Sequence, residues 1–361
     1  MDAASSESLI LVEREGAITR VTLNRPRAIN ALNTEMFEGL DAAIDAAEGS
    51  TAIVLDGAGE RGFCGGGDIK QIAFGGDPRG LFGAEYRLDH RLSVSPVPVV
   101  AIMDGIAMGG GIGLGGHAKF RVVTERSRLA MPEVRIGIVP DVGGHFLLAR
   151  APGRLGEYLA ITAGEMGPAD AIALGFADTL IASERIDELR AALAAGGDPA
   201  ATLADFAEAV PEAPLLAVRD WFDPIADAAL GSVDAVADPV GAASALLAAL
   251  EASDVAAARE TASVVRGMSP LSVALTVSQI ARTRAEGLDV AGVLEDDFRI
   301  TPRLAEHANF AEGVRAQLVD KDRNPQWVPH AVEALDPAEV AGILAPHAAG
   351  EHGLGLPVSG R

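Results

Sequence analysis

Two carboxylates, Glu133 and Asp141, stand eight residues apart in the mostly apolar segment from Met131 to Gly144. Apolar surroundings disfavour an ionised carboxyl and raise its pKa. Two acids in different environments can divide proton donation from proton acceptance. The spacing leaves plainer readings open: Glu133 as a cap or ion-pair partner, and Asp141 as an Asx-turn after Pro140. Two glycine-dense stretches supply a second kind of chemistry. Residues 62–68 run Gly-Phe-Cys-Gly-Gly-Gly-Asp, and seven of the twelve residues from Gly105 to Gly116 are glycine. Gly67 and Gly110 each lie at an expected helix start. Two backbone N–H groups aimed at one point there would stabilise a carbonyl oxygen as it gains charge. A single glycine turn is ordinary punctuation; two of them with two acids favour a site.

Other polar residues say less. Glu85 on a helix reads as solvated, and Asp68 as the cap of a helix beginning at Ile69. Arg25, Arg27 and Lys70 are candidate phosphate contacts or plain surface charges. His90, His117 and His145 are scattered, and no HExxH or CxxC spacing indicates a metal. Cys64 reads as a small buried hydrophobe. Gly111-x-Gly113-x-x-Gly116, with Glu125 further on, matches a dinucleotide fingerprint. In that fingerprint the first glycine directly follows the strand, whereas residues 104–108 intervene here.

The elements that must position these groups are legible in outline. The apolar run from Val97 to Met103 predicts a buried strand leading into the central glycine turn. Residues 8–16 and 17–23 predict a hairpin, Asn33 to Glu48 a helix capped by Asn33 or Thr34, and Thr51 to Leu55 a short buried strand. Residues 73–83 read as an open loop, and Ala84 to Ser93 as a helix. Further strands are expected at Phe120–Thr124 and Arg128–Met131, and helices at Leu155–Ala163 and Pro168–Leu174. Beyond Ser183 the pattern is almost wholly helical, including Asp238–Leu250, Asp254–Arg266 and Pro270–Gly287. Strands alternating with helices in the first half imply parallel pairing. The expected division is a core at 1–200, a helical region at 201–345 and a flexible tail at 346–361.

Composition bounds the partners. The 361 residues are 49% hydrophobic but only 4% aromatic, and the net charge is −22. That charge disfavours nucleic acid and anionic membranes. An anionic small ligand needs a local gathering of cations, and Lys70, Lys119 and Lys321 are the only lysines. One cysteine precludes an internal disulfide, and no apolar run reaches the roughly 18 residues of a membrane span. The acidic start, without a basic then apolar stretch, predicts no signal peptide and a cytoplasmic protein.

Taken together, Phe63–Ile69, Met108–Gly111 and Met131–Glu133 resemble the crotonase (enoyl-CoA hydratase/isomerase) superfamily. Residues 23–26, 30–32, 85–86, 120–125, 138–144, 309–315 and 320–329 further resemble its 3-hydroxyisobutyryl-CoA hydrolase branch. The resemblance implies an α/β fold, a spiral of ββα units with a helical C-terminal region. It implies a coenzyme A thioester substrate in valine breakdown and no separate cofactor. The N–H groups of Gly67 and Gly110 would hold the thioester oxygen. Glu133 would be the main catalytic carboxylate with Asp141 as its partner, and Glu85 would meet the substrate hydroxyl or the attacking water. Asp68, Ile69, Arg27 and Lys70 join the substrate-binding set. A homo-oligomer, the habit of the superfamily, is the remaining partner expectation. Hydratases of this superfamily usually carry a second glutamate where this chain has Gly113, and tend to have glycine in place of Asp141. Both departures favour the hydrolase over a hydratase or isomerase. An NAD-binding oxidoreductase and a non-catalytic binding module are the outside readings.

Overall fold

The computed structural model describes residues 8–357. Strands β1 (Ile10–Glu15) and β2 (Ile18–Leu23) form the expected antiparallel hairpin. Helix α1 (Thr34–Ala46) follows, its first turn capped by Asn33, whose side chain accepts the Met36 N–H at 3.0 Å. Strands β3 (Ile53–Gly57) and β4 (Gly62–Cys64) lead to short helix α2 (Ile69–Ala73) and long helix α3 (Pro78–Ser93). Then come β5 (Val99–Met103), β6 (Ile106–Met108), the glycine helix α4 (Gly110–Gly116), β7 (Phe120–Val123) and β8 (Arg128–Ala130). A 3-10 turn at Glu133–Arg135 precedes α5 (Gly144–Leu148), α6 (Leu155–Thr162), β9 (Glu165–Met166), α7 (Pro168–Ala173) and β10 (Thr179–Leu180).

The strands form two sheets. One has the order β1-β2-β3-β5-β7-β10 and is parallel from β2 onward; the other is β4-β6-β8-β9. Val54, Val100, Ile102 and Val122 face one buried cluster, while Ile53, Leu55, Val99 and Ala101 face another. Burial on both faces is why these strands read as unbroken apolar runs rather than alternating ones.

The rest is helical. Helices α8 (Ile186–Ala194) and α9 (Pro199–Phe206) cover one sheet face. Helices α10 (Arg219–Leu230), α11 (Pro239–Glu251) and α12 (Ala256–Arg266) lead to α13 (Pro270–Glu286), which is buried along most of its length. Asp238 caps α11, and Gly287 closes α13 in a left-handed conformation, as their types predict. Helices α14 (Val290–Ala305), α15 (Ala308–Val314) and α16 (Pro337–Leu344) complete the chain, with a π-helical turn at Arg315–Val319. One apolar cluster runs through both halves, from Ile10 to Leu354. Helix α14 lies on α3, with Phe298 edge-on to Tyr86 at 6.5 Å between ring centroids.

Three expectations are corrected. The helix placed at Ala84–Ser93 starts six residues earlier, because Pro78 suits a first helical position and Leu81 and Phe82 are buried. The glycine-rich stretch contains a strand, β6, that pairs in parallel with β4 and β8. Residues 350–357 are held rather than loose: the Leu354 and Leu356 N–H groups donate to Glu295 on α14 at 2.9 and 2.8 Å. The end of the expected tail, 358–361, and the acidic residues 1–7 lie outside the described residues.

Candidate active site

The site grows from two places where backbone segments are forced close together. Leu32 bridges in parallel to Gly67: the Leu32 N–H donates to the Gly66 carbonyl at 2.8 Å, and the Asp68 N–H to the Leu32 carbonyl at 2.7 Å. Buried Asn30 locks that loop from below, donating to the carbonyls of Gly62 and Phe63. Gly66 takes φ +98°, and a Cβ there would come within 3.1 Å of the Met108 carbonyl. On the other side, Gly110 is the first residue of α4, so its N–H has no partner within the helix. A Cβ on Gly110 would sit 3.3 Å from the Gly67 nitrogen, so the two amides are neighbours. Among the described residues neither N–H has a hydrogen-bond acceptor.

Three carboxylates fill the space that these glycines leave. Glu133 Oε1 would lie 2.9 Å from a Cβ on Gly109, Glu85 Oε1 would overlap one on Gly110, and both Asp89 oxygens would lie within 3 Å of one on Gly113. Asp141 completes the group, accepting a 2.5 Å hydrogen bond from the Tyr86 hydroxyl. All four acids are buried. Glu133 Oε2 and both Asp89 oxygens have no hydrogen-bond partner among the described residues.

Burial is the main reason these acids hold their protons, and their mutual repulsion adds to it. Burial and then the Asp141 charge push Glu85 up to about 8. Burial and then Asp297 push Asp141 up to about 7, against the Tyr86 hydrogen bond that favours its ionised form. Glu133 stands well above the carboxylate range for the first of these reasons and because of Asp141. Burial and then Glu85 raise Asp89 as well.

A cavity of about 610 Å³ opens beside these groups, and Asp89 does not line it. Its wall carries Gly67, Gly110, Glu85, Glu133 and Asp141, all expected from the sequence. Asp68, Ile69 and Lys70 line it too. Asp68 does not cap α2, because its carboxylate is turned to Arg25 at 2.9 Å. Arg27 is exposed and does not line the cavity. Glu85 is buried rather than solvated, because its side of α3 packs on the glycine turns at Gly67 and Gly110.

Several contributors escaped the sequence reading. Arg135 joins Arg25 and Lys70 on the wall, and Gln317 and Leu318 reach it from the π-helical turn. Asp89 lies one helical turn beyond Glu85, a spacing that could have flagged it. Asp297 and His145 lie behind Asp141, brought there by α14 and α5. The dinucleotide reading fails on geometry. Gly111, Gly113 and Gly116 lie inside α4, packed against Cys64, Asp89 with Val142, and Leu147, and leave no open face for a pyrophosphate. Cys64 is the buried hydrophobe expected, its thiol pushed by burial up to about 12. Among the described residues no cluster of His, Cys, Asp and Glu is arranged to hold a metal ion. No helix there is long and apolar enough to cross a membrane.

Residues 18–344 match the family described as enoyl-CoA hydratase/isomerase, and the chain belongs to that family. Its fold is the expected α/β crotonase-like spiral with a helical C-terminal region. The chain is 32% identical over 346 residues to "3-hydroxyisobutyryl-CoA hydrolase, mitochondrial" from Gallus gallus, covering 93% of this chain and 89% of that protein. It is 33% identical to the protein of the same name from Dictyostelium discoideum, covering 95% and 93%. The crystal structure of a carnitinyl-CoA dehydratase from Mycobacterium thermoresistibile superposes with a TM-score of 0.84 at 38% identity, covering 95% of this chain and 97% of that one. The two relatives are mitochondrial by name, so the cytoplasmic expectation rests on the sequence alone.

Proposed function

We propose that this protein hydrolyses a short 3-hydroxyacyl-CoA thioester, 3-hydroxyisobutyryl-CoA by kinship with the relatives so named, to the free acid and CoA. That is a step of valine breakdown. One observation carries the reading: two unpartnered amides, at Gly67 and Gly110, open beside buried Glu133 and Asp141 in one cavity.

The chemistry follows from the groups' states. The thioester oxygen accepts both amides, which favour it most when it is anionic, in the tetrahedral adduct. Asp141, near 7, takes a proton from water as the water oxygen bonds to the thioester carbon. Glu133, still protonated, gives its proton to the sulfur as the carbon–sulfur bond breaks. Glu85 faces the acyl group and suits the 3-hydroxyl. Arg25, Lys70 and Arg135 offer positive charge to the CoA phosphates.

Thiol release measured across a panel of acyl-CoAs, including 3-hydroxyisobutyryl-CoA and 3-hydroxypropionyl-CoA, tests this. Glu133→Gln is expected to lose at least about a hundredfold in release and to keep CoA thioester binding. Full activity in that variant would reject the assignment. A route in which Glu133 attacks instead, forming an anhydride that water opens at the Glu133 carbon, would leave label from heavy-oxygen water in Glu133 after one turnover. The second reading, an enoyl-CoA hydratase, is favoured by the name of the carnitinyl-CoA dehydratase. Water addition to crotonyl-CoA without thiol release would establish it. Gly113, which has no side chain to exchange protons, weighs against it.

A further inference from the structure

The turn that carries Asp141 is gripped from three elements. On α14, the fully buried Asp297 accepts the Gly143 N–H on Oδ2 at 2.9 Å and meets His145 Nε2 with Oδ1 at 3.0 Å. On α13, Thr283 Oγ lies 2.7 Å from His145 Nδ1. At the end of α4, His117 Nε2 is 2.9 Å from the Val142 carbonyl. Between these grips Val142 is held at φ +51°, where a β-branched residue stays only if its surroundings impose it.

We propose that Asp297 and His145 form a positioning pair, an ion pair buried behind the cavity that fixes the Asp141 turn and keeps a negative charge beside the Asp141 carboxyl. The proposal rests on the hydrolase reading for the role of Asp141, but not for the existence of the pair.

The charges around it are compatible with this. His145 faces Asp297 and Asp296 on α14, and Gln279, Arg282 and Thr283 on α13. Asp296 is already paired with Arg282 and Arg299, which leaves Asp297 as the histidine's counter-ion. Burial opposes an imidazolium, yet the facing carboxylates raise His145 above its ordinary 6.5. Asp141 in turn faces Tyr86, Glu85 and Asp89 on α3, Glu133 after β8, Asp297 on α14 and His145 on α5. Asp297 is the largest charge effect on Asp141 and raises its pKa; His145 works the other way and less.

Asp297→Asn tests the pair, because asparagine keeps one oxygen for the Gly143 N–H while it loses the charge and turns an NH2 toward His145 Nε2. In the wild type, nitrogen NMR should find His145, identified by its loss in His145→Gln, as an imidazolium at neutral pH. In Asp297→Asn it should titrate at least about one pH unit lower. The kcat for thiol release should fall roughly ten- to a hundredfold with KM barely changed. The acidic limb of kcat/KM should move to lower pH, since the charge that repels the Asp141 anion is gone. A neutral His145 in the wild type would overturn the proposal, as would a folded Asp297→Asn protein with unchanged titration, kcat and limb. Should that variant not fold, Thr283→Val removes a single acceptor of the imidazolium. A lower His145 titration there supports the pair, and an unchanged one overturns it. If the wild type releases no thiol from any acyl-CoA, the hydrolase reading falls, and the nitrogen spectra alone decide the pair.

Discussion

At the scale of single residues, the site works by crowding acids that would each prefer to be elsewhere. Glu85 binds its proton far more tightly in the folded chain, near 8, than at its ordinary 4.5. Its contribution to stability is therefore complete below about pH 4.5 and is lost as pH rises through about 8. Melting temperature is expected to fall between pH 5 and pH 8.5, and Glu85→Gln to flatten that fall and to be the more stable protein at the alkaline end. A steeper fall in the variant would refute the argument. The proposed role of the cations lies at the other end of the substrate. Lys70→Ala should raise KM for an acyl-CoA several-fold with kcat nearly unchanged, and should leave the KM for the matching acyl-pantetheine, which lacks the nucleotide phosphates, where it was.

At the scale of elements, helix α4 is the part that could not be otherwise. Its first turn is bare so that Glu133, Glu85 and Asp89 can lie directly on its backbone. Gly110→Ala is expected to push Glu85 off the turn and cost roughly a hundredfold in kcat. A control at Gly175, whose φ is +82° with nothing within 4 Å of a Cβ, should cost only about 1 kcal/mol of stability and no activity. Equal losses at both positions would remove the special status of α4. The same helix explains what the sequence could and could not convey. Gly67, Gly110, Glu133 and Asp141 were legible because chemistry demands those types near glycine turns. Asp68 was misread because a helix start predicts a cap, whereas Arg25 outbids the backbone for its carboxylate. β6 was missed because three residues between Gly105 and Gly109 show no periodicity. Asp297 escaped notice and His145 was read only as a scattered histidine for a different reason: they lie about 150 residues apart, and only the packing of α14 brings them together.

At the scale of the whole molecule, the helical half helps to build the candidate site. α14 lies on α3 and sets Phe298 against Tyr86, the partner of Asp141, and the π-helical turn brings Gln317 and Leu318 to the cavity. A chain ended at Arg266 would leave the α5, α6 and α3 surfaces bare. It is expected to aggregate, which sedimentation would reveal; a soluble, compact product would show the halves to be independent. The last described residues are secured more lightly. Glu295→Ala should speed amide exchange at Leu354 and Leu356 while changing global stability little, and unchanged exchange would mean that other contacts hold them.

Cys64 has a practical corollary for any enzyme that liberates a thiol. It is the only sulfhydryl in the chain, sealed from solvent and pushed up to about 12. At neutral pH almost none of it is thiolate, the form that attacks acyl groups and disulfides. The folded protein should thus neither trap the acyl chain on itself nor discharge a chromogenic disulfide reagent. Colour in such an assay would count coenzyme alone, and a slow background rise would report unfolded chain.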